Sequence, residues 1–262
     1  VPKKARFLVG AVLSALGFWL WVNLPYESRY YGLLAGAVLI MVCFWFGLGI
    51  MFNDDIYNRL MAVVLPVCLF AGTGLFATMM SLGRFGLAVL SVLFGVLVYA
   101  LFLVENVFMV AIGFKTVPLY RAAYTVSLIV MLLTSFMLFN TVFSFGLPYW
   151  ANLGLVFLLS GLIYLYQFWA VAIELPDDGK TKNKVVFVLV PAWLTAQMAM
   201  VLSFWPAGIF KTAVYLLTVV YILASLIQAE IRERLFRRDW LQYSWIGAAV
   251  MVGILVITNW RG

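Results

Sequence analysis

The chain has 262 residues, of which 66% are apolar, 17% aromatic and 10% charged. A soluble globular domain carries about a quarter charged residues, so a water-soluble fold is excluded. With a formal net charge of +7, no histidine and two cysteines, histidine-ligated haem or zinc, a Ser-His-Asp triad and a disulfide framework are excluded too.

A bilayer-crossing helix needs about 20 mainly apolar residues. Cutting the chain where charges, Pro/Gly turns or polar clusters interrupt such stretches predicts nine spans, at 7–24, 31–52, 60–80, 85–104, 122–143, 150–173, 185–204, 208–229 and 241–259. The first follows Lys3-Lys4-Ala5-Arg6 as a signal peptide would. Its apolar run is longer than a typical signal sequence and no small-residue cleavage site follows, so it reads as an uncleaved span. Trp19, Trp21, Tyr26, Tyr30 and Tyr31 near one surface, with Trp240, Tyr243 and Trp245 near the other, fit interfacial aromatic belts. Gly32, Gly36 and Ala71-Gly72-Thr73-Gly74 fit close helix packing. Pro66 and Pro191 lie about a third of the way into spans 3 and 7, where they should kink the helix. Glu105 comes some twenty residues after Arg84 and reads as an interfacial residue opening an amphipathic segment at 105–121. The alternative is a span 4 that continues through Gly113, which makes Glu105 an intramembrane polar site with Lys115 or Arg121 as the basic partner. Asn140, Gln167, Gln197 and Gln228 read as hydrogen-bonding links between helices. Lys211 sits one turn inside span 8 and can snorkel outward; with nine spans rather than seven, retinal is not expected.

Orientation follows from Lys and Arg in the short loops. An N-terminus on the cytoplasmic side puts Lys3, Lys4, Arg6, Arg59, Lys115, Arg121, Lys180, Lys182, Lys184, Arg232, Arg234, Arg237 and Arg238 inside, leaving Arg29, Arg84, Lys211 and Arg261 outside or near it. The expected protein is an all-α, nine-span, N-in/C-out protein of a bacterial inner membrane. The run Arg232 to Arg238 is worth about 1 kcal/mol per charge against anionic lipid, and nucleic acid is not needed to explain it.

The chain forms a single transmembrane domain, 1–262, within which a period of 123 to 127 residues recurs in the rare residue types. Leu24-Pro25-Tyr26 returns as Leu147-Pro148-Tyr149, and Asp54-Asp55 as Asp177-Asp178. Arg59 and Pro66 correspond to Lys184 and Pro191, Arg84 to Lys211, and Glu105 to Glu230. The alternative is convergent turn chemistry. A true duplication implies two like-oriented four-helix halves, 1–113 and 121–239, and a terminal span at 240–262.

The concentrated acidic residues are Asp54 and Asp55, preceded by the oxygen donor Asn53, after span 2, with Glu174, Asp177 and Asp178 after span 6. Two such clusters can share Mg²⁺, a hard cation that bridges to phosphates, and Arg59, Arg121, Lys180, Lys182 and Lys184 can neutralise a diphosphate. The plainer explanation is that short loops are charged because they are solvated. With nine spans, two halves, and acidic loops after spans 2 and 6, the chain resembles the UbiA-type intramembrane prenyltransferase superfamily. That family carries N-D-x-x-D and D-x-x-x-D motifs that hold a prenyl diphosphate through Mg²⁺. The first loop here matches at Asn53 and Asp54 but has Tyr57 where an aspartate is due, and the second offers Glu174 and Asp178. Span 3 begins too soon after Arg59 to leave room for the helix that covers such active sites. The segments Glu105-Asn106-Val107-Phe108, Phe139 to Trp150 and Ser203-Phe204-Trp205-Pro206 also resemble an uncharacterised multi-pass family of small-genome bacteria, which implies no activity.

The expected role is a non-enzymatic subunit of a membrane complex or a lipid-binding scaffold, partnered by lipid, another membrane protein or its own copies. The rival is a Mg²⁺-dependent prenyltransferase-like enzyme. A small-solute transporter comes third, since no polar mid-membrane ligand set can be assembled from these residues.

Overall fold

The computed structural model describes residues 3–49, 56–80, 82–113, 118–174, 184–206, 208–232 and 236–258. Among them are nine α-helices and no strand: α1 (Lys3–Val22), α2 (Arg29–Leu48), α3 (Ile56–Met79), α4 (Arg84–Gly113), α5 (Tyr120–Ser144), α6 (Tyr149–Ala172), α7 (Lys184–Ser203), α8 (Ile209–Ile231) and α9 (Arg237–Ile257). A single 3-10 turn, Tyr26–Ser28, leads into α2. Helices α1 to α8 are long and apolar enough to cross a membrane. The ninth opens with Arg237-Arg238-Asp239 and is the least apolar of the set.

The helices fall on the expected spans, with one large departure. Span 4 was expected to end at 104, yet α4 runs unbroken for 30 residues to Gly113, absorbing most of the supposed amphipathic segment. Ends are set by local chemistry. Gly49 terminates α2 in the left-handed region, φ 72°, with its N–H donating to the Trp45 carbonyl, a conformation that costs a Cβ-bearing residue about 1 kcal/mol or more. Pro148 caps α6 in an extended conformation, and its carbonyl accepts from the N–H groups of Ala151 and Asn152. Pro25 accepts from Ser28 N–H in the same way. Pro66 and Pro191 are buried inside α3 and α7, which continue through them.

The chain divides into two compact units, Val1–Thr134 and Ser135–Gly262, with the boundary inside α5. In the first, α1 packs on α2 and α4, α2 on α3, and α3 on α4. Its interior is a column of aromatic rings. Phe18 stacks on Phe94 at 4.6 Å and meets Phe70 and Trp21 edge-on. One level away, Phe102 is sandwiched by Phe44 at 4.0 Å and Phe7 at 5.5 Å. Glycines make the room. A Cβ at Gly10 or Gly47 would lie 2.7 or 2.6 Å from Phe102, and one at Gly36 or Gly74 would collide with Phe70 or Trp21. The small-residue seams thus receive rings. Trp21, expected in an interfacial belt, is instead 3% exposed and donates its indole N–H to the Arg29 carbonyl at 2.9 Å. In lipid such helices gain little from the hydrophobic effect, so close dispersion contact between rings supplies the attraction.

In the second unit α6 packs along α7, α8 touches both, and α9 lies on α8. Small and hydroxyl side chains line the α6–α7 seam. Ser160 Oγ reaches the Val156 and Ala192 carbonyls, Tyr164 Oη and Thr195 Oγ1 are 2.9 Å apart, and Asn152 Nδ2 donates to Ser203 Oγ. Trp205 Nε1 donates to Thr258 Oγ1 and ties the end of α9 to the α7–α8 turn. Gln167 and Asn140 are buried as cross-linking groups should be, whereas Gln197 is exposed.

Candidate functional site

Asn53, Asp54, Asp55, Asp177, Asp178, Lys180 and Lys182 lie outside the described residues. The remaining members of the expected diphosphate and metal set are placed as follows. Glu174, just past the end of α6, accepts an ion pair from Arg232 at 2.8 Å, with both side chains partly exposed. Its charge is therefore met by the first arginine of the basic run after α8. Lys184 is the first residue of α7 and Arg121 the second of α5, and both are exposed. Arg59, the fourth residue of α3, is half-buried, and its carbonyl accepts the Trp45 indole N–H at 3.3 Å. Among the described residues, no three acidic or thiol side chains converge.

Glu105 is fully buried on α4, one turn beyond Phe102. It therefore lies within a continuous helix and does not open a separate amphipathic segment. The ring contacts bring residues of α1 and α3 to within about one helical turn of its level. Phe18 and Phe70 both meet Phe94, and eleven residues along a helix is about 16 Å. Counting eleven residues from each ring leads to Phe7 on α1, Arg59 on α3 and Glu105 on α4. Arg6 stands at the same level, its Nη1 3.6 Å from where a Cβ on Gly49 would be. The Nε atoms of Arg6 and Arg59 are shielded from solvent. The basic residues near this level are thus contributed by α1 and α3, whereas Arg121 is exposed on α5 and Lys115 lies outside the described residues. Only packing reveals this, because Arg6 in sequence is one of three cations before the first span.

A groove of about 680 Å³ lies between α1 and α4 of the first unit. From α1 it takes Leu8, Ala11, Val12, Ala15, Leu16 and Trp19, and from α4 Ala88, Ser91, Val92, Gly95, Val96 and Tyr99. Both sets recur at three- and four-residue spacing, so each is one stripe of its helix. The floor is made of small side chains, with Gly95 against Ala15, and Leu8, Val92 and Val96 form exposed walls. Ser91 spends its hydroxyl on the Leu87 carbonyl, so the lining is apolar. A smaller groove of about 390 Å³ runs between α8 and α9.

Residues 50–257 match a family model described as a protein of unknown function, DUF5656. The chain belongs to that family. The match takes in α3 to α9, including Arg59, Glu105 and the α4 wall of the groove, and leaves α1 and α2 outside. No curated protein and no solved structure matches the chain.

Proposed function

We propose that this DUF5656 protein is a non-enzymatic scaffold of a bacterial inner membrane, a complex subunit or lipid-binding platform rather than a catalyst or a transporter. The observation that carries this reading is the solid interior of the first unit. Phe7, Phe18, Phe44, Phe70, Phe94, Phe102 and Trp21 fill the space among α1 to α4, where a transport path or a ligand channel would need a polar or open cavity. Its concave surface faces outward instead, between α1 and α4.

The nine-span, N-in arrangement rests on the thirteen basic residues that it keeps on one side. The duplicated halves draw support from Pro25 and Pro148, whose carbonyls each accept an N–H three residues on, and from Pro66 and Pro191 inside α3 and α7. The halves have diverged at Glu105, which is buried, and Glu230, which is exposed.

The rival, Mg²⁺-dependent prenyl transfer in the manner of the UbiA superfamily, is tested by thermal stability in mild detergent with and without Mg²⁺ plus prenyl diphosphates of several chain lengths. A ligand at 100 times its Kd adds about 2.7 kcal/mol to stability. The scaffold reading expects no shift. Stabilisation that disappears in Asp54→Ala and Asp177→Ala would replace it with the enzyme.

A further inference from the structure

The groove between α1 and α4 is apolar along its length and ends at a cation. On α1 the stripe Leu8, Ala11, Ala15, Trp19 continues one turn back to Lys4, which is exposed. The facing stripe on α4, moving the same way from Gly95 through Tyr99, continues to Leu103 and Asn106, neither of them buried. The two helices run antiparallel, as the Phe7–Phe102 and Phe18–Phe94 stacks require. Lys4 and Asn106 are therefore carried to the same end of the groove, with Lys3 beside them.

We propose that this groove holds one acyl chain of an anionic phospholipid, whose phosphate lies on Lys4 and the neighbouring polar groups. This deepens the scaffold reading and rests on it. Two observations select the occupant. From Leu8 to Trp19 is eleven residues, about 16 Å along the helix, roughly half the 30 Å hydrocarbon thickness that a spanning helix of a partner would have to follow. A chain descending from one interface fits that length, and a partner helix would overrun it. The second is charge: the lining is apolar, and the exposed cations Lys3 and Lys4 lie at one end, complementary to an amphiphile with a negative head. The α4 wall alone cannot form this site, since Lys4 and the α1 stripe complete it.

Trp19 closes the groove and supplies the probe. The full-length protein is reconstituted in phosphatidylcholine bilayers containing a minor fraction of phosphatidylglycerol brominated in its acyl chains, and the Trp19 signal is taken as the difference from Trp19→Phe. The expected result is quenching in excess of the brominated mole fraction, together with a preference over equally brominated phosphatidylcholine that falls about fivefold in Lys4→Gln, the factor belonging to one interfacial charge. Val96→Trp, which adds bulk at an exposed groove wall, should abolish the excess while leaving the circular dichroism spectrum unchanged. Equal quenching by the two headgroups, unchanged in Lys4→Gln, would overturn the anionic-lipid site yet leave a scaffold with an unselective groove. Stabilisation by Mg²⁺ and a prenyl diphosphate would overturn the scaffold reading itself.

Discussion

Gly74 and Gly154 show how differently two glycines on spanning helices can behave. A Cβ on Gly74 would run into the Trp21 ring, whereas one on Gly154 meets nothing within 4 Å. Gly74→Ala should lower stability by about 1–3 kcal/mol, the usual cost of overpacking, and Gly154→Ala should raise it by about 0.5–1 kcal/mol, because alanine loses less backbone entropy in a helix. Thermal unfolding in mild detergent reads both. The two glutamates of interest separate by burial. Glu105 is fully buried and has an interaction partner in the fold, so Glu105→Ala should cost about 1–3 kcal/mol. Glu174 meets Arg232 in a partly exposed pair, for which Glu174→Ala should cost no more than about 1 kcal/mol. The reverse order would mean that Glu174, not Glu105, holds the structural charge. Residue identity in the sequence did not reveal this difference: hydropathy scores a glutamate by type, and only its burial on α4 shows what kind of site it occupies.

At the scale of the element, hydropathy located the helices well, because a bilayer-length apolar run leaves few choices of where a helix lies. It failed at α4. A charge reads as the end of a span, yet Leu101, Phe102, Val104, Glu105, Phe108 and Ala111 continue one buried face to the helix end. Inserting a single alanine between Val104 and Glu105 would turn everything beyond it by about 100°, carrying Glu105 and Phe108 off that face. The insertion should lower the unfolding midpoint clearly, whereas an interfacial segment would absorb it without loss. Trp21 was misplaced for a related reason. A tryptophan near a helix end satisfies an aromatic-belt pattern whichever way it points, and only the glycine opposite it, Gly74, marks it as core. The groove was also invisible beforehand, because its small residues on α1 and α4 are separated by more than seventy positions in sequence.

At the scale of the whole molecule, the composition established a polytopic helical membrane protein, and residues 50–257 place it in the DUF5656 family. The expected site was read from acidic and basic loops whose spacing is irregular. Loop composition reports solvation as readily as chemistry, so the sequence could name those residues without assembling them. The aromatic interior of the first unit supports the scaffold reading more strongly, and the chain contains its own reporters for it. Its two cysteines, Cys43 on α2 and Cys68 on α3, are free and buried within that unit. The direct measurement is their modification in the folded, reconstituted protein by a small charged thiol reagent, followed by mass spectrometry. A solid, dry interior predicts that neither reacts until the protein is denatured. Modification of Cys68 in the native protein, suppressed by a solute or by a prenyl diphosphate with Mg²⁺, would reveal a water-accessible cavity and contradict the scaffold account.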